Sequence, residues 1–459
     1  MDKSKKTAVE ASINEALRDK KYLKLRNELA TLKPADIAEY IMRKESKDRL
    51  VVYRILPKEL AAEVFAYLDA DVQQTLVMSF THEELSSVLD ELFLDDAVDF
   101  LEEMPAYVVD KVLAHTDPEQ RKILNRFLQY PENGAGSLMT IEYVMLNKNY
   151  TVEESIGRIR RIGIDKETVY TAYVTDNMRV LEGVVTVKDL LLAENDEIIG
   201  NIMDRNVVAV HTNDDKEKVS EIFKRYDFIS LPVIDWENRM VGIITIDDVV
   251  DVIQEADTED FERLAALRPS EKPYLKSSIF DLTKNRIVWL LVLMISGTFV
   301  GTLLGIFEDA MLVVLVTFMP MLTDTGGNAG SQAATLIVRG LAVGEITTKD
   351  FKKILWKEIR VALLLGGILA AFMFARFTLQ YALISREDIG ANVYLTAAVV
   401  SISVFFVIMI SKVVGSMLPL IAKKLKLDPA IMAAPLISTM IDAVSLTFYF
   451  GMAKLILNI

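Results

Sequence analysis

Residues 287–307 read IVWLLVLMISGTFVGTLLGIF, a stretch without a single charged side chain. An α-helix needs about 20 mostly apolar residues to cross the hydrocarbon core of a bilayer. Four further stretches of this kind follow, at residues 310–338, 361–384, 391–422 and 429–457. Five in succession do not fit buried helices of a soluble domain. We therefore predict a five-span α-helical transmembrane domain over residues 286–459.

The rest of the chain has the opposite character. The 459 residues are 51 % apolar and 25 % charged, with a net charge of -14 and a mean hydropathy of +0.27. Residues 276–459 carry 11 of the 65 acidic and 16 of the 51 basic side chains, which leaves 54 acidic and 35 basic ones, a net charge of -19, upstream. We predict a multi-domain integral membrane protein whose acidic half responds to cations and does not bind nucleic acid.

The scarcity of soft metal ligands excludes several classes of site. The chain has no cysteine and three histidines, all upstream of the apolar stretches. Disulfides, Cys-ligated zinc and a cysteine nucleophile are therefore excluded, and a His-rich metal site is disfavoured.

The distribution of Lys and Arg predicts how the spans are oriented. Basic residues concentrate between the second and third spans and between the fourth and fifth, at Arg339, Lys349, Lys352, Lys353, Lys357, Arg360, Lys423, Lys424 and Lys426. By the positive-inside rule these segments are cytosolic. We expect the N-terminal half to be cytosolic and the C-terminus to be extracytosolic. The polar N-terminus indicates that there is no signal peptide.

Residues 1–136 read as an acidic helical domain. Helix-breaking positions recur every twelve residues, which predicts a small superhelical array. They are Leu56-Pro57, Leu68-Asp69, Phe80-Thr81, Leu92 and Met104-Pro105, with Asp117-Pro118 expected one residue out of step.

Residues 137–256 contain two copies of one pattern, which resembles a tandem pair of cystathionine-β-synthase (CBS) modules with an α/β fold. Gly183 and Gly242 begin the matching segments GVVTVKD and GIITIDD. In that family a Thr and an Asp of this motif often hold the ribose of an adenine nucleotide. The matching residues here, and so the predicted ATP site, are Thr186, Asp189, Thr245 and Asp248.

Acidic side chains cluster in two parts of the soluble half. The first cluster includes Asp95 and Asp99, one helical turn apart. The second follows the second module, at Asp247, Asp248, Asp251, Glu255 and Glu259, and leads into a connecting (plug) helix and linker over residues 257–285. Facing carboxylates repel unless a cation lies between them. These residues are therefore candidate ligands of a regulatory cation.

The most informative polar residues lie in the second and fifth spans. The second span contains PMLTDTGGNAGSQ at residues 320–332, where Asn328, Ser331 and Gln332 offer the neutral oxygens that suit a hydrated hard cation. In the fifth span Asp442 lies deep in the apolar run, and Asp428 lies at its cytosolic end. A deep carboxylate is costly unless it meets water, a partner or an ion. We therefore expect Asp442 to line a wet path.

The domain order and these two motifs resemble the MgtE family of bacterial magnesium channels. The resemblance covers essentially the whole chain and implies a homodimer in the inner membrane. It further implies that a hydrated Mg²⁺ is held by Asp442 of each subunit with Asn328 lining the pore, and that cytosolic Mg²⁺ bound to the acidic surfaces closes the channel. The resemblance assigns no role to Asp324, which stands in place of a neutral residue; attraction of cations near the outer mouth is one interpretation of it.

Two other readings of the membrane half stay open. One is a transporter of another divalent cation such as Mn²⁺ or Co²⁺, which the lack of Cys and of span His disfavours. The other is a CBS-type, nucleotide-sensing membrane protein that transports nothing, which would leave the deep Asp442 without a use. The sequence carries no specific nucleophile–base pair or phosphate loop. We therefore expect no enzymatic activity.

Overall fold

The computed structural model describes residues 3–265, 267–270, 274–275, 277–307, 313–383, 393–429 and 434–457. The chain divides into two compact units, Met1–Gln254 and Glu255–Ile459. The first contains the acidic helical array and two small sheets. The second contains the apolar helices.

The first unit begins with ten helices, which confirms the predicted helical N-terminal domain. Helices α4 to α10 begin at intervals of twelve residues. The ten are α1 Lys3–Arg18, α2 Tyr22–Leu29, α3 Pro34–Met42, α4 Ser46–Ile55, α5 Lys58–Ala66, α6 Ala70–Ser79, α7 His82–Glu91, α8 Leu94–Glu102, α9 Ala106–His115 and α10 Pro118–Phe127.

The twelve-residue period has a simple physical origin. The residue two positions before each of the helices α5 to α10 is buried, and the next residue is the N-cap that starts the helix. These buried residues are Leu56, Leu68, Phe80, Leu92, Met104 and Thr116. Asp117 is the N-cap of α10, and its carboxylate accepts from the Glu119 N–H at 2.9 Å. The expected one-residue slip at Asp117 was therefore wrong, because the repeat is set by the caps and the caps stay in step.

Two equivalent three-stranded sheets follow, as the CBS repeat predicts. In each sheet the first two strands are parallel and the last two are antiparallel. The strands are β1 Val144–Asn147, β2 Thr171–Thr175 and β3 Leu181–Thr186, then β4 Val210–His211, β5 Ser230–Ile234 and β6 Met240–Thr245. The helices between and after them are α11 Val152–Ile162, α12 Val187–Leu192, α13 Ile199–Ile202, α14 Lys216–Tyr226 and α15 Ile246–Leu264.

The two matching glycines have the same structural role in both modules. A Cβ on Gly183 would lie 3.0 Å from the Asp204 carbonyl oxygen, and one on Gly242 would lie 2.6 Å from the Thr140 carbonyl oxygen. Each glycine therefore lets a neighbouring segment approach the last strand of its sheet. The Thr140 N–H donates to Ile243 at 2.8 Å and the Ile243 N–H donates back at 2.9 Å.

The apolar part of the chain forms long helices, as expected of a membrane protein. They are α16 Ile279–Ile306, α17 Val313–Val316, α18 Met319–Ala342, α19 Phe351–Leu383, α20 Val393–Lys424 and α21 Ala434–Leu457. Four helical stretches of the described residues have the length and hydropathy of a membrane span, namely Ile279–Ile306, Thr348–Gln380, Val393–Lys424 and Ile437–Leu457.

The predicted spans differ from these helices in two places. The second predicted span, at residues 310–338, is divided between α17 and α18, and α18 is too polar to be counted with the other four. Helix α19 begins at Phe351, ten positions before the predicted start, so that the basic residues Lys352, Lys353 and Lys357 are helical. Lysine is a good helix former, so the helix extends beyond the apolar stretch from which its position was predicted.

Helices α18, α20 and α21 pack together through small residues. A Cβ on Gly415 of α20 would lie 2.2 Å from the Gly330 carbonyl oxygen of α18. Gly326 faces Ile441 and Ser445 of α21 in the same way. Such glycines allow two backbones to approach closely, as in membrane helix pairs generally. The contacts fix which face of α18 is turned inward.

Candidate ion-binding sites

Asp442 lies on α21, beside the polar part of α18. Its Oδ1 is buried and has no hydrogen-bond partner among the described residues. The carboxylate of Asp324, on α18, is within electrostatic range of it. Gly327 brings the two helices together here, because a Cβ at that position would lie 2.6 Å from Ser438 Oγ. A buried, unpaired carboxylate oxygen is costly, so this position calls for water or a cation.

Asn328 is joined directly to Asp324. The two residues are one helical turn apart, and Asn328 Nδ2 donates to Asp324 Oδ1 at 3.2 Å. Both side chains are exposed, whereas Gly326, Ala329 and their neighbours on the other face of α18 are buried. The structure thus brings together Asp442 and Asn328, and it adds Asp324, to which the family resemblance assigned no role.

Carboxylates of the first unit converge around Asp95, which is 6 % exposed. Burial, together with Asp248 and Asp96, raises the pKa of Asp95 well above its usual range. Burial and the Asp247 carboxylate raise the pKa of Asp96 to about 6. Burial, Asp247 and Asp96 raise the pKa of Glu167 to about 7. The ionised form of these carboxylates is therefore disfavoured by burial and by mutual repulsion. A bound cation would reduce that repulsion.

Asp248 is the member of this group that the second module supplies. Burial raises its pKa well above the usual range, and the carboxylates of Asp247 and Asp99 add to the increase. The Thr245 hydroxyl donates to Asp248 Oδ2 at 2.8 Å and opposes the shift. Of the predicted regulatory ligands, Asp95, Asp99, Asp247 and Asp248 thus come together.

Asp95, Asp96, Asp99, Glu167, Asp247 and Asp248 are called the Asp95 cluster, and two of its features did not follow from the sequence. Glu167 lies outside both acidic runs, so its participation had no local signal. In the described residues no three acidic or histidine side chains converge closely enough to ligate a metal directly. A hydrated cation, held through its water molecules, fits this spacing better than a bare one.

A third acidic group lies in the second unit, near the end of α15. Arg263 forms ion pairs with both Glu259 and Asp428. Burial and the Asp428 carboxylate raise the pKa of the neighbouring Asp260. Glu259 and Asp428 were both predicted to be metal ligands. The structure brings them together around a guanidinium, which the sequence analysis did not anticipate.

The remaining predicted regulatory residues are Asp251 and Glu255, both on α15. They lie one to two turns beyond Asp248 along that helix. Their role as metal ligands stays a prediction.

The residues predicted to bind nucleotide act locally as helix caps. Thr186 is the N-cap of α12, and its hydroxyl donates to Asp189 Oδ2 at 2.6 Å while it accepts from the Asp189 N–H at 3.1 Å. Thr245 and Asp248 form the corresponding pair at the start of α15. The first pair is exposed, whereas Asp248 lies within the Asp95 cluster.

Comparison with known families accounts for almost the whole chain. The profile described as "MgtE intracellular N domain" matches residues 32–133, the CBS domain profile matches residues 135–196 and 199–255, and the profile described as "MgtE: Divalent cation transporter" matches residues 319–452. A magnesium transporter MgtE of Thermus thermophilus is 35 % identical over 453 residues, which are 97 % of this chain and 98 % of that protein. This chain belongs to the MgtE family. The resemblance drawn from the sequence is thereby confirmed, as is the prediction that the chain is not an enzyme.

A second relative is similar over nearly the whole chain, and two solved structures are similar over about half of it. The magnesium transporter MgtE of Bacillus subtilis is 29 % identical over 440 residues, 95 % of each chain. A crystal structure of the cytosolic domain of the Mg²⁺ channel MgtE in complex with ATP is 37 % identical, with a TM-score of 0.51, and covers 53 % of this chain and 99 % of that one. The soluble part of a magnesium transporter is 27 % identical, with a TM-score of 0.53, and covers 55 % and 99 %.

Proposed function

We propose that this chain forms a Mg²⁺-selective channel in the bacterial inner membrane, and that cytosolic Mg²⁺ closes it. The functional unit is a homodimer with five spans in each subunit, a cytosolic N-terminal half and an extracytosolic C-terminus. Membership of the MgtE family supports transport of a divalent cation. The remaining points rest on the chemistry of the two acidic regions.

One observation carries the proposal for the pore. Asp442 presents a buried carboxylate oxygen without a hydrogen-bond partner among the described residues, next to the exposed polar side chains of α18. Mg²⁺ loses its water reluctantly and is held best through that water by a few carboxylates. A carboxylate from each of two subunits would attract the ion without stripping its hydration shell.

The exposed polar side chains of α18 support the proposal that two copies of the chain associate along this helix. Asp324 and Asn328 are exposed on a helix whose neighbours are membrane spans. Side chains of this kind do not face lipid, because a charged or amide group in hydrocarbon costs several kcal/mol. A water-filled path enclosed by two copies of α18 and α21 would satisfy both requirements.

The Asp95 cluster has the properties expected of a Mg²⁺ sensor. Its carboxylates repel one another and are partly desolvated, so the arrangement is strained at neutral pH without a counter-ion. Mg²⁺ that binds this arrangement better than an open one shifts the population toward it. High internal Mg²⁺ would then stop its own uptake. Asp95, Asp99, Asp247 and Asp248 are the proposed sensing residues, and Asp251, Glu255, Glu259 and Asp428 are further candidates.

ATP is proposed as a second ligand of the CBS pair. The related cytosolic domain whose crystal structure contains ATP supports this proposal. Thr186 and Asp189 are the favoured residues, because this pair is exposed. Asp248 is disfavoured for a phosphate ligand since its neighbours are carboxylates.

Mg²⁺ flux in liposomes tests the pore assignment. The full chain is reconstituted, and uptake is followed with an entrapped Mg²⁺ indicator in wild type and in Asp442→Asn at equal protein content. The wild type should carry Mg²⁺ in preference to Mn²⁺ and Co²⁺, and the variant should be nearly inactive. Wild-type flux through well-folded Asp442→Asn protein would place the ion path elsewhere.

A further inference from the structure

Helix α18 carries a continuous line of exposed polar side chains. They occur at intervals of three or four residues, which places them on one face of the helix. The line consists of Asp324, Asn328, Gln332, Thr335 and Arg339. The opposite face, from Leu322 to Leu341, is buried. A polar line of fifteen helical steps extends about 22 Å, most of the thickness of a bilayer core.

We propose that Asp324 is a positioning and ion-attracting residue of the conduction path, acting on Asn328 and beside Asp442. This inference rests on the proposed transport function and deepens it. Asp324 would orient the Asn328 amide so that its oxygen faces the ion. It would also add a second negative charge near the Asp442 carboxylate.

The orienting role follows from the direction of the hydrogen bond. Asn328 donates its amide nitrogen to Asp324 at 3.2 Å. The amide oxygen is then left to accept from the water molecules of a hydrated cation, whose hydrogens point outward. If the acceptor at Asp324 were lost, the amide would be free to rotate and present its N–H groups, which disfavour a cation.

The electrostatic role follows from position. Asp324 and Asp442 are close enough for their charges to interact. Asp324 forms no ion pair with a basic side chain within the described residues, where it accepts a hydrogen bond from Asn328. A divalent cation could compensate the two carboxylates at once, a task that no Lys or Arg of the described residues performs through an ion pair with Asp324.

The test separates charge from hydrogen bonding. Mg²⁺ uptake is measured in proteoliposomes over a range of external Mg²⁺ at low and high ionic strength. Asp324→Asn removes the charge but keeps an acceptor for Asn328, so half-maximal uptake should need about fivefold more Mg²⁺ at low salt, and the difference should shrink at high salt. Asp324→Leu removes both, so its maximal flux should also fall. Asp324→Glu should restore most of the low-salt affinity.

Thr323→Val is the matched control. Thr323 is adjacent to Asp324, but its hydroxyl donates within its own helix, to the Met319 and Pro320 carbonyl oxygens at 3.1 Å. This variant should behave like wild type. Wild-type Mg²⁺ dependence in Asp324→Asn at low salt, with Asp442→Asn inactive, would overturn the inference alone. A salt-independent loss of flux in Asp324→Asn would also overturn it, as the sign of a structural role. A wild-type chain that carries no Mg²⁺ would overturn the proposed function and this inference with it.

Discussion

The acidic region of the membrane half and that of the N-terminal half use carboxylates in opposite ways. Asp442 has a buried carboxylate oxygen without a hydrogen-bond partner among the described residues, and one other carboxylate, that of Asp324 on the exposed polar face of α18, lies within electrostatic range. Asp95 lies among other carboxylates and is almost fully buried. The first environment attracts a cation and leaves it a path. The second is relieved when a cation binds and offers no such path.

This difference assigns separate tasks to the two regions. An ion that permeates must bind weakly enough to leave, which suits few charges and retained water. An ion that regulates must change the relative stability of two arrangements, which suits a cluster that repels itself when empty. Changes in one region should therefore leave the other function intact.

The largest effect is expected in the membrane region. Asp442→Asn keeps the shape of the side chain but removes a charge whose attraction to a dication is roughly 7 kcal/mol at about 4.5 Å and an effective dielectric of about 20. We expect Mg²⁺ flux to fall at least about 100-fold. Asp442→Glu should impair flux less, and Asn328→Ala least, because it removes an oxygen donor and no charge. Uptake at equal protein content measures the series, and equal losses in all three would contradict it.

The next largest effect is expected from substitutions in the Asp95 cluster. Replacing Asp95 and Asp248 with Asn removes the repulsion that Mg²⁺ relieves. Mg²⁺ should protect the cytosolic half of the full-length protein from trypsin only at concentrations about tenfold higher than in wild type. Asp442→Asn should be protected like wild type. Asp196→Asn with Glu221→Gln makes the same charge change at exposed positions and serves as the control.

Arg263 provides a further test, because its guanidinium is a cation that the protein itself places among carboxylates. Arg263→Gln leaves Glu259, Asp260 and Asp428 without their guanidinium. We expect half-maximal protection to need about fivefold more Mg²⁺, since a soluble ion must replace the lost charge. Arg268→Gln makes the same charge change at an exposed position and should have no effect. Equal behaviour of the two variants would remove Arg263 from the account.

The smallest effect concerns pH. Asp96 and Glu167 have pKa values raised to about 6 and about 7, so the folded cluster binds protons more tightly than the unfolded chain does. The Mg²⁺-free protein should therefore gain stability as pH falls from 7.5 through these values. Bound protons then reduce the repulsion among the carboxylates, as Mg²⁺ does. Between pH 7.5 and 5.5 the stabilisation by Mg²⁺, measured by thermal unfolding, should shrink about threefold. Glu167→Gln should flatten this dependence, and a larger Mg²⁺ effect at pH 5.5 would contradict it.

Much of the fold was readable in the sequence because it repeats. The twelve-residue period predicted the helices from α4 to α10, and the paired glycines predicted equivalent sheets. The error at Asp117 arose because the repeat was counted from pairs of residues that break helices. Counted from the N-cap residues, Asp117 is in step. The count of five spans is not confirmed, because α18 is not among the helices with the hydropathy of a membrane span. Its polar side chains are exposed along one face and lower its mean hydropathy, although its other face packs tightly.

The sites were predictable where the chemistry is local, and not where it depends on distant contacts. Asp442 was evident as a lone carboxylate in an apolar run. Glu167 and Arg263 were not, because each acquires its meaning from residues far along the chain. Arg263 and Asp428 are 165 positions apart. No pattern within α15 distinguishes an arginine that bridges two carboxylates from one that is solvated.

Closure by cytosolic Mg²⁺ is the most direct test of the division between the two regions. Mg²⁺ flux is measured in proteoliposomes while free Mg²⁺ on the side of the cytosolic domains is raised stepwise, for wild type and for the Asp95→Asn and Asp248→Asn double variant. The account predicts that wild-type flux falls as Mg²⁺ rises, whereas the variant conducts normally and stays open at about tenfold higher Mg²⁺. Closure of both proteins at the same Mg²⁺ concentration would contradict the account.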